Sequence, residues 1–162
     1  MIHSDLRNNW LESDDEHLMR DCEFTPFKST GKGGQKKNKS SSAVRLTHRP
    51  TGIAVTGTNE RCQHTNRKQA LKKLRYEIAY NVRTNQETVQ VDINLSTNNK
   101  RYFLWVAMII DEFEKNNYAL ADSAAHFGIS SSRLVKLIGR DPSLWQFINH
   151  QRSTHGQPLL KK

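Results

Sequence analysis

The chain has 162 residues and a formal net charge of +9, with 25 Lys and Arg against 16 Asp and Glu. This length is that of one domain, or of one domain with a small appendage. The sequence contains no apolar run of about 18 residues and begins with an acidic segment, so we predict neither a membrane span nor a signal peptide. Cys22 and Cys62 are too few for a disulfide framework, which predicts a reducing, cytoplasmic compartment.

The positive charge is concentrated in the middle of the chain. Residues 1–27 carry a net charge of −5, residues 28–83 one of +12, and residues 84–162 one of +2. Because like charges repel, a soluble surface normally mixes both signs. The central block therefore predicts contacts with nucleic-acid phosphates, and a merely basic surface is the alternative.

The first predicted elements are a helix, an edge strand and a long loop. Ser13 and Glu16 have capping-box spacing, which predicts a helix over about 14–21. Residues 22–28 alternate like a strand, and Pro26 places that strand at a sheet edge. Residues 29–42 contain no apolar side chain, so they predict an exposed loop.

A hairpin and a basic helix follow. Residues 43–48 and 53–57 alternate apolar and polar side chains around a short Pro and Gly turn, which predicts two paired strands. Asn66 is predicted to cap a helix over about 67–83. Its apolar stripe is Leu71, Leu74, Ile78 and Val82, and the charges expected to flank that stripe in solvent are Lys68, Lys72 and Arg75.

The remainder of the chain is predicted to be helical. Residues 101–115 are strongly apolar, residues 120–138 have a helix-turn-helix pattern with a Gly at the turn, and Asp141-Pro142 opens a last helix. The predicted fold class is therefore α+β. The expected organisation is a domain at 13–83, a linker at 84–99, a helical segment at 100–152 and a flexible tail at 153–162.

The spacing of residues does not match the motifs of several nucleotide, metal and hydrolase sites. The loop glycines fit neither the phosphate-binding loop of nucleotide hydrolases nor the dinucleotide fingerprint. Cys62 and His64 lack a second ligand pair, and no nucleophile elbow occurs. We predict no metal and no cofactor.

The triplet Gly33-Gly34-Gln35 stands at the tip of this apolar-free loop. Adjacent glycines allow backbone N–H groups to come close to a reacting centre, and glutamine adds an uncharged donor and acceptor. A flexible linker is the alternative. The lysines expected to grip phosphates around the triplet are Lys28, Lys32, Lys36, Lys37 and Lys39.

Residues 28–70 resemble the GGQ domain of class I peptide chain release factors. The resemblance is carried by S-x-G-x-GGQ, by N-K with S-A-V-R-L-T-H, by P-T-G-I, and by N-E-R-x-Q-H-x-N-R. It implies that the loop enters the peptidyl transferase centre of the ribosome and promotes hydrolysis of peptidyl-tRNA. By the same resemblance, the Gln35 backbone N–H stabilises the transition state or the leaving 3′-oxygen, and the Gln35 side chain helps to position water.

Further expectations come with the resemblance. Gln35 is the usual target of a glutamine methyltransferase in this family, which makes that enzyme a candidate partner beside the ribosome and peptidyl-tRNA. We expect a monomer that acts as an enzyme only on the ribosome. The remaining residues predicted to contact RNA are Arg45, Arg61, Arg67, Lys68 and Lys72.

The sequence also departs from the family. Stop-codon readers have large N-terminal and central domains, whereas 27 residues precede the basic block here. We therefore expect codon-independent release, as in rescue of stalled ribosomes. Codon-independent relatives often have a long basic tail, and this chain has a helical segment instead. Lys36 and Lys37 replace a common His-Val pair, so a non-catalytic RNA-binding protein with a decayed GGQ loop is an alternative.

The helix-turn-helix itself admits three interpretations. It is a docking module for ribosomal RNA with Arg133, Lys136 and Arg140 in contact, a small bundle that only packs, or a DNA-binding module of a transcription regulator.

Overall fold

The computed structural model describes residues 4–28, 42–60, 62–84 and 91–161. The chain divides into two compact units, Met1–Thr84 and Asn85–Lys162. The first unit contains a sheet and helices, and the second contains helices and turns in its described residues. The predicted α+β class is confirmed.

The first unit is built around a three-stranded antiparallel sheet. Its elements in chain order are α1 (Ser4–Glu12), α2 (Asp15–Arg20), β1 (Cys22–Phe27), β2 (Ala43–His48), β3 (Ala54–Gly57) and α3 (Gln63–Asn81). The strand order is β1-β2-β3, so β1 is an edge strand. Pro26 lies opposite Val44 and leaves one side of the ladder without an N–H, which only an edge position tolerates. The predicted edge strand and hairpin are both present.

The core of this unit lies between the sheet and α3. Val44 and Leu46 of β2 and Val55 of β3 are buried, and they alternate with more exposed side chains such as Arg45. This period of two places one face of the sheet against the helix. The predicted apolar stripe of α3 is buried in full, at Leu71, Leu74, Ile78 and Val82.

Arg75 was expected among the solvent charges of α3, and the structure buries it. Its Nη1 lies 2.7 Å from an Asp15 carboxylate oxygen, and its Nη2 donates to the Ser13 carbonyl oxygen at 2.8 Å. A buried guanidinium needs such partners because an unpaired charge in the interior is costly. Arg75 therefore fastens the start of α2 to α3.

The capping prediction for α2 is off by one residue. The Oδ1 atom of Asp14 accepts from the His17 backbone N–H at 2.7 Å, so Asp14 caps the helix. Ser13 instead ends α1, which the sequence did not predict, and its N–H donates to the Asn9 carbonyl oxygen at 2.9 Å. The Ser13 hydroxyl also donates to the Trp10 carbonyl oxygen at 3.2 Å, so both Ser13 donors are bonded to α1 and Glu16 cannot accept the Ser13 N–H as a capping box requires.

His48 is the last residue of β2 and is fully buried. The rings of Trp10 and His48 meet edge to face with centroids 4.6 Å apart, and the Nδ1 atom lies 2.8 Å from the Thr51 hydroxyl oxygen. Burial lowers the pKa of His48 from its ordinary 6.5, and Asp21 partly opposes that shift. The native state therefore holds a neutral imidazole.

This burial predicts an acid-sensitive stability. As the pH falls below 6.5, the unfolded chain binds a proton that native His48 excludes, so the free energy of unfolding decreases until the lowered native pKa is passed. Urea unfolding at a series of pH values should show this slope, and His48→Gln should flatten it. Exposed His150 provides the control, because His150→Gln should leave the slope unchanged. An equally steep slope in His48→Gln would contradict the assignment.

The second unit is a helical bundle. Its helices are α4 (Tyr102–Lys115), α5 (Leu120–His126), α6 (Ser131–Ile138) and α7 (Pro142–Thr154). The predicted helix-turn-helix is present as α5 and α6, and Gly128 at the turn has a φ of +64°, where glycine is favoured. Asp141 caps α7 by accepting from the N–H groups of Ser143 and Leu144, as the sequence predicted.

Segments on either side of these helices pack onto them. The carbonyl oxygen of Ile93, in the stretch predicted as a linker, accepts from the Trp105 indole N–H at 3.0 Å. Leu160, in the stretch predicted as a flexible tail, is buried, and its N–H donates to Oδ1 of Asn149 at 2.6 Å. The domain limits inferred from the sequence stay a prediction.

Candidate functional site

The segment that contains the Gly-Gly-Gln triplet starts and ends at neighbouring points of the sheet. Phe27, the last residue of β1, pairs with Ala43, the first residue of β2. Opposite residues of an antiparallel pair have Cα atoms about 4.5–5.5 Å apart. The chain from Lys28 to Ser42 therefore leaves the sheet and returns to it at one place, which we call the loop mouth.

Asn66 ties the loop mouth to α3. Its Nδ2 donates to the Ser42 carbonyl oxygen and to the Glu60 carbonyl oxygen, both at 2.8 Å, and its Oδ1 accepts from the Glu60 N–H at 2.9 Å. Asn66 is fully buried. One amide side chain thus holds the returning end of the loop and the segment before α3, and we call this set of bonds the Asn66 clamp.

The predicted role of Asn66 as the helix cap is wrong. The helix begins at Gln63, its cap position is Cys62, and Asn66 lies in the first turn. A cap needs only an acceptor, whereas the clamp uses both the donor and the acceptor of the amide. The sequence signal for the clamp is Asn66 within N-E-R-x-Q-H-x-N-R, but no local pattern states that its partners are Ser42 and Glu60.

Gly57 allows α3 to come close enough for the clamp. A Cβ placed on Gly57 would lie 2.1 Å from the Asn66 carbonyl oxygen and 2.8 Å from the Asn66 carbonyl carbon. These are backbone atoms, which cannot rotate away. The end of β3 therefore packs directly on the first turn of α3, and only glycine fits there.

The predicted RNA-contacting residues that the structure describes are all exposed, at Lys28, Arg45, Arg67, Lys68 and Lys72. Lys28 lies at the loop mouth. Strand alternation places Arg45 on the face of β2 opposite Val44 and Leu46, and its guanidinium lies 5.7 Å from the centroid of the Phe27 ring.

The cations of α3 lie on the other side of the sheet from Arg45. Arg67 and Lys68 line a surface groove with His64 of the same helix and with Asp15 and Glu16 of α2. The structure thus brings Arg67 and Lys68 together, separates them from Arg45, and sets two carboxylates beside them. A phosphate chain contacting all three cations would have to run around the unit.

Eight predicted site residues lie outside the described residues, namely Lys32, Gly33, Gly34, Gln35, Lys36, Lys37, Lys39 and Arg61. Their assignments stay predictions. Among the residues that the structure does describe, no cluster of three His, Cys, Asp or Glu side chains is placed to hold a metal ion.

Cys62 occupies the cap position of α3 and is exposed. The backbone N–H groups of Thr65 and His64 and the Thr65 side chain lower the pKa of its thiol, although the Cys62 side chain makes no capping hydrogen bond. Burial acts in the opposite direction on Cys22, where it raises the thiol pKa to about 11. The N–H groups at the start of α3 therefore favour the thiolate form of Cys62.

The sheet, the single long helix and the Gly-Gly-Gln segment between β1 and β2 together define a class of protein, the class I peptide chain release factors with a GGQ domain. A family model described as "RF-1 domain" matches residues 14–106, which is more than half of the chain. The chain belongs to this family.

Relatives among characterised proteins agree. The chain is 43% identical over 70 residues to peptide chain release factor 1 of Xylella fastidiosa, covering 43% of this chain and 19% of that protein. It is 53% identical over 64 residues to peptide chain release factor 1 of Lachnoclostridium phytofermentans, covering 40% and 18%. Peptide chain release factor 2 of Thermotoga petrophila is 50% identical over 58 residues, covering 36% and 16%.

The matched segment spans less than a fifth of the length of these relatives. The chain thus shares with them one part of a release factor. None of the described helices combines the length and the apolar composition that crossing a bilayer requires.

Proposed function

We propose that this protein promotes the hydrolysis of peptidyl-tRNA on the ribosome without reading a stop codon, as in the rescue of stalled ribosomes. The observation that carries the proposal is the Gly33-Gly34-Gln35 triplet in a segment that departs from and returns to one clamped loop mouth, within a chain of the RF-1 domain family. The paired strand ends and the Asn66 clamp give the two ends of this segment a fixed base.

In this proposal the loop contributes hydrogen-bond donors rather than a base. The Gln35 backbone N–H stabilises the charge that develops on the ester oxygen atoms, or on the leaving 3′-oxygen of the tRNA. Donors that are placed before the reaction stabilise developing charge without reorganising, which is the principle of an oxyanion hole. The two glycines keep side-chain bulk away from the approach, and the Gln35 amide positions the attacking water.

Affinity for the ribosome is proposed to come from the basic block around the loop. Contacts between Lys or Arg and phosphates supply binding that does not depend on the sequence of the nucleic acid. Residues 28–83, with their net charge of +12, therefore support binding that needs no codon. The exposed and described residues predicted to contact RNA are Lys28 at the loop mouth, Arg45 on β2, and Arg67, Lys68 and Lys72 on α3.

Two accompanying proposals concern partners and compartment. Gln35 is a candidate substrate for a glutamine methyltransferase, and the protein acts as a monomer in the cytoplasm. Mass measurement of Gln35 after expression with and without such a methyltransferase would test the methylation. Light scattering would test the monomeric state.

The codon question has a direct test. Ribosomes that hold peptidyl-tRNA are prepared with a stop codon, with a sense codon, or with no mRNA in the A site, and the released peptide is measured after adding the protein. We expect release rates that agree within about threefold among the three complexes, because phosphate contacts do not read bases. Release that requires the stop codon would contradict codon independence and leave the catalytic proposal standing.

The same assay addresses the non-catalytic alternative, which the Lys36-Lys37 departure favours. A protein with a decayed loop would sediment with ribosomes and release no peptide from any of the three complexes. That result would contradict the proposed hydrolysis and identify a ribosome-associated RNA-binding protein.

A further inference from the structure

The exposed face of α6 is cationic. Leu134, Leu137 and Ile138 point into the helical unit, while Ser132, Arg133 and Lys136 are exposed. Arg140 follows the helix and is also exposed. Arg133 and Lys136, three residues apart, share one side of α6. Arg140 lies beyond the helix end and is bonded to Leu95, next to the Asn94 that bonds Arg133. We call these three residues the α6 stripe.

Two of these cations are held in place by the segment before α4. The Arg133 Nη2 donates to Oδ1 of Asn94 at 2.5 Å, and the Arg140 Nη2 donates to the Leu95 carbonyl oxygen at 3.1 Å. The Arg140 guanidinium also lies 5.6 Å from the centroid of the Trp105 ring. Each guanidinium has five N–H donors. Its named bonds fix its direction and leave donors for a ligand.

We propose that the α6 stripe binds the phosphates of folded RNA, which makes the helical unit a second RNA-binding surface of this protein. Cations that are ordered before binding lose less side-chain entropy when they meet a phosphate. Residues 131–140, which form α6 and its end, carry three basic residues and no acid, although residues 84–162 carry seven acids. Their +2 net charge therefore understates the local charge of this face.

The choice of RNA over duplex DNA follows from the way the stripe is held, and in part from the proposed function. A DNA-reading helix extends side chains from its N-terminal turn into a groove to reach base edges. Here Arg133 in the first turn of α6 bonds to Asn94, and Arg140 beyond the helix bonds to Leu95, so both guanidiniums are directed along the surface. This arrangement suits backbone phosphates, and the RNA at hand for a release factor is ribosomal.

The test compares two charge-matched variants of the full chain. R133Q/K136Q removes two stripe charges and keeps Arg140 on Trp105. K115Q/K161Q removes two exposed charges of the same unit outside the stripe. Binding to vacant ribosomes and to duplex DNA of equal phosphate number is measured by sedimentation or gel shift over a range of salt concentrations.

We expect R133Q/K136Q to weaken ribosome binding by about tenfold or more at moderate salt and to lower the salt slope by about two, and K115Q/K161Q to change binding less than about threefold. R133K/K136R, which keeps both charges, should restore most of the affinity. Equal losses in both glutamine variants, no loss in R133Q/K136Q, or tighter binding of DNA than of ribosomes would overturn the proposal.

Peptide release is measured in parallel over a range of protein concentrations. R133Q/K136Q should need about tenfold more protein for half-maximal release, and K115Q/K161Q should release peptide as the wild type does. If the wild-type protein releases no peptide but its ribosome binding depends on the stripe, the proposed hydrolysis fails and this inference stands.

Discussion

Replacing Gly34 with alanine is expected to lower the rate of peptidyl-tRNA hydrolysis at saturating protein by about 10²–10³-fold, the usual cost of removing one oxyanion donor. The physical reason is steric, since a Cβ at this position keeps the neighbouring backbone N–H from reaching the ester. Gln35→Ala keeps the backbone N–H and loses only the side-chain amide, so its loss should be smaller than that of Gly34→Ala. The measurement is single-turnover release of labelled peptide from ribosomes.

Gly52→Ala is the matched control for this prediction. Gly52 has a φ of +70° and nothing within 4 Å of an added Cβ, so the same chemical change is made in the turn at the end of β2 opposite the loop mouth. It should cost about 1 kcal/mol of stability and leave the release rate per folded molecule unchanged. Undiminished release by Gly34→Ala would rule out the catalytic assignment, and a larger loss in Gln35→Ala than in Gly34→Ala would assign the main role to the side chain.

The elements that could be predicted from the sequence are those whose signals are local. β2 and β3 alternate apolar and polar residues across a Pro and Gly turn, and α4 is apolar from Tyr102 to Ile110, so burial in either case needs no knowledge of the partner. The start of α7 could also be predicted, because Asp141 and Pro142 stand at the two positions that begin a helix.

What could not be predicted depends on contacts distant in sequence. Arg75 was expected in solvent because it flanks the stripe of α3, and its burial requires the Asp15 carboxylate, which is 60 residues away in the chain. The Asn66 clamp is the same kind of case within the candidate site, since its partner Ser42 precedes it by 24 residues. The Gly-Gly-Gln triplet was found from sequence because it is short and contiguous, whereas the structure that supports it is neither.

The Asn66 clamp carries the second large prediction. Asn66→Asp keeps the volume of the side chain but replaces the Nδ2 donor with a carboxylate oxygen. That oxygen would then face the carbonyl oxygens of Ser42 and Glu60, and a buried carboxylate can only accept. We expect the free energy of unfolding to fall by about 2–4 kcal/mol, because charged groups left without donors cost more than neutral ones.

We expect the loss of the clamp to slow peptide release as well as to destabilise the fold. Without it, Ser42 loses its bond to α3, so the point at which the chain returns to the sheet is less firmly fixed. Positioning effects of this kind change kcat more than binding, and small displacements are costly. We therefore expect Asn66→Asp to lower the release rate at saturation by about tenfold and to leave the half-saturating concentration within about threefold of wild type.

Two further variants separate positioning from unfolding. Leu74→Ala removes a fully buried side chain of the core and should cost a similar 2–5 kcal/mol, yet it should release peptide at the wild-type rate wherever it is folded. Asn59→Asp makes the same amide-to-acid change at an exposed position whose Oδ1 accepts from the Thr58 hydroxyl, a role that a carboxylate oxygen keeps, and it should alter both quantities little. If Leu74→Ala loses kcat as Asn66→Asp does, the loss belongs to general destabilisation. If Asn66→Asp alone loses it, the single amide that joins Ser42, Glu60 and α3 sets the direction in which the loop leaves the sheet.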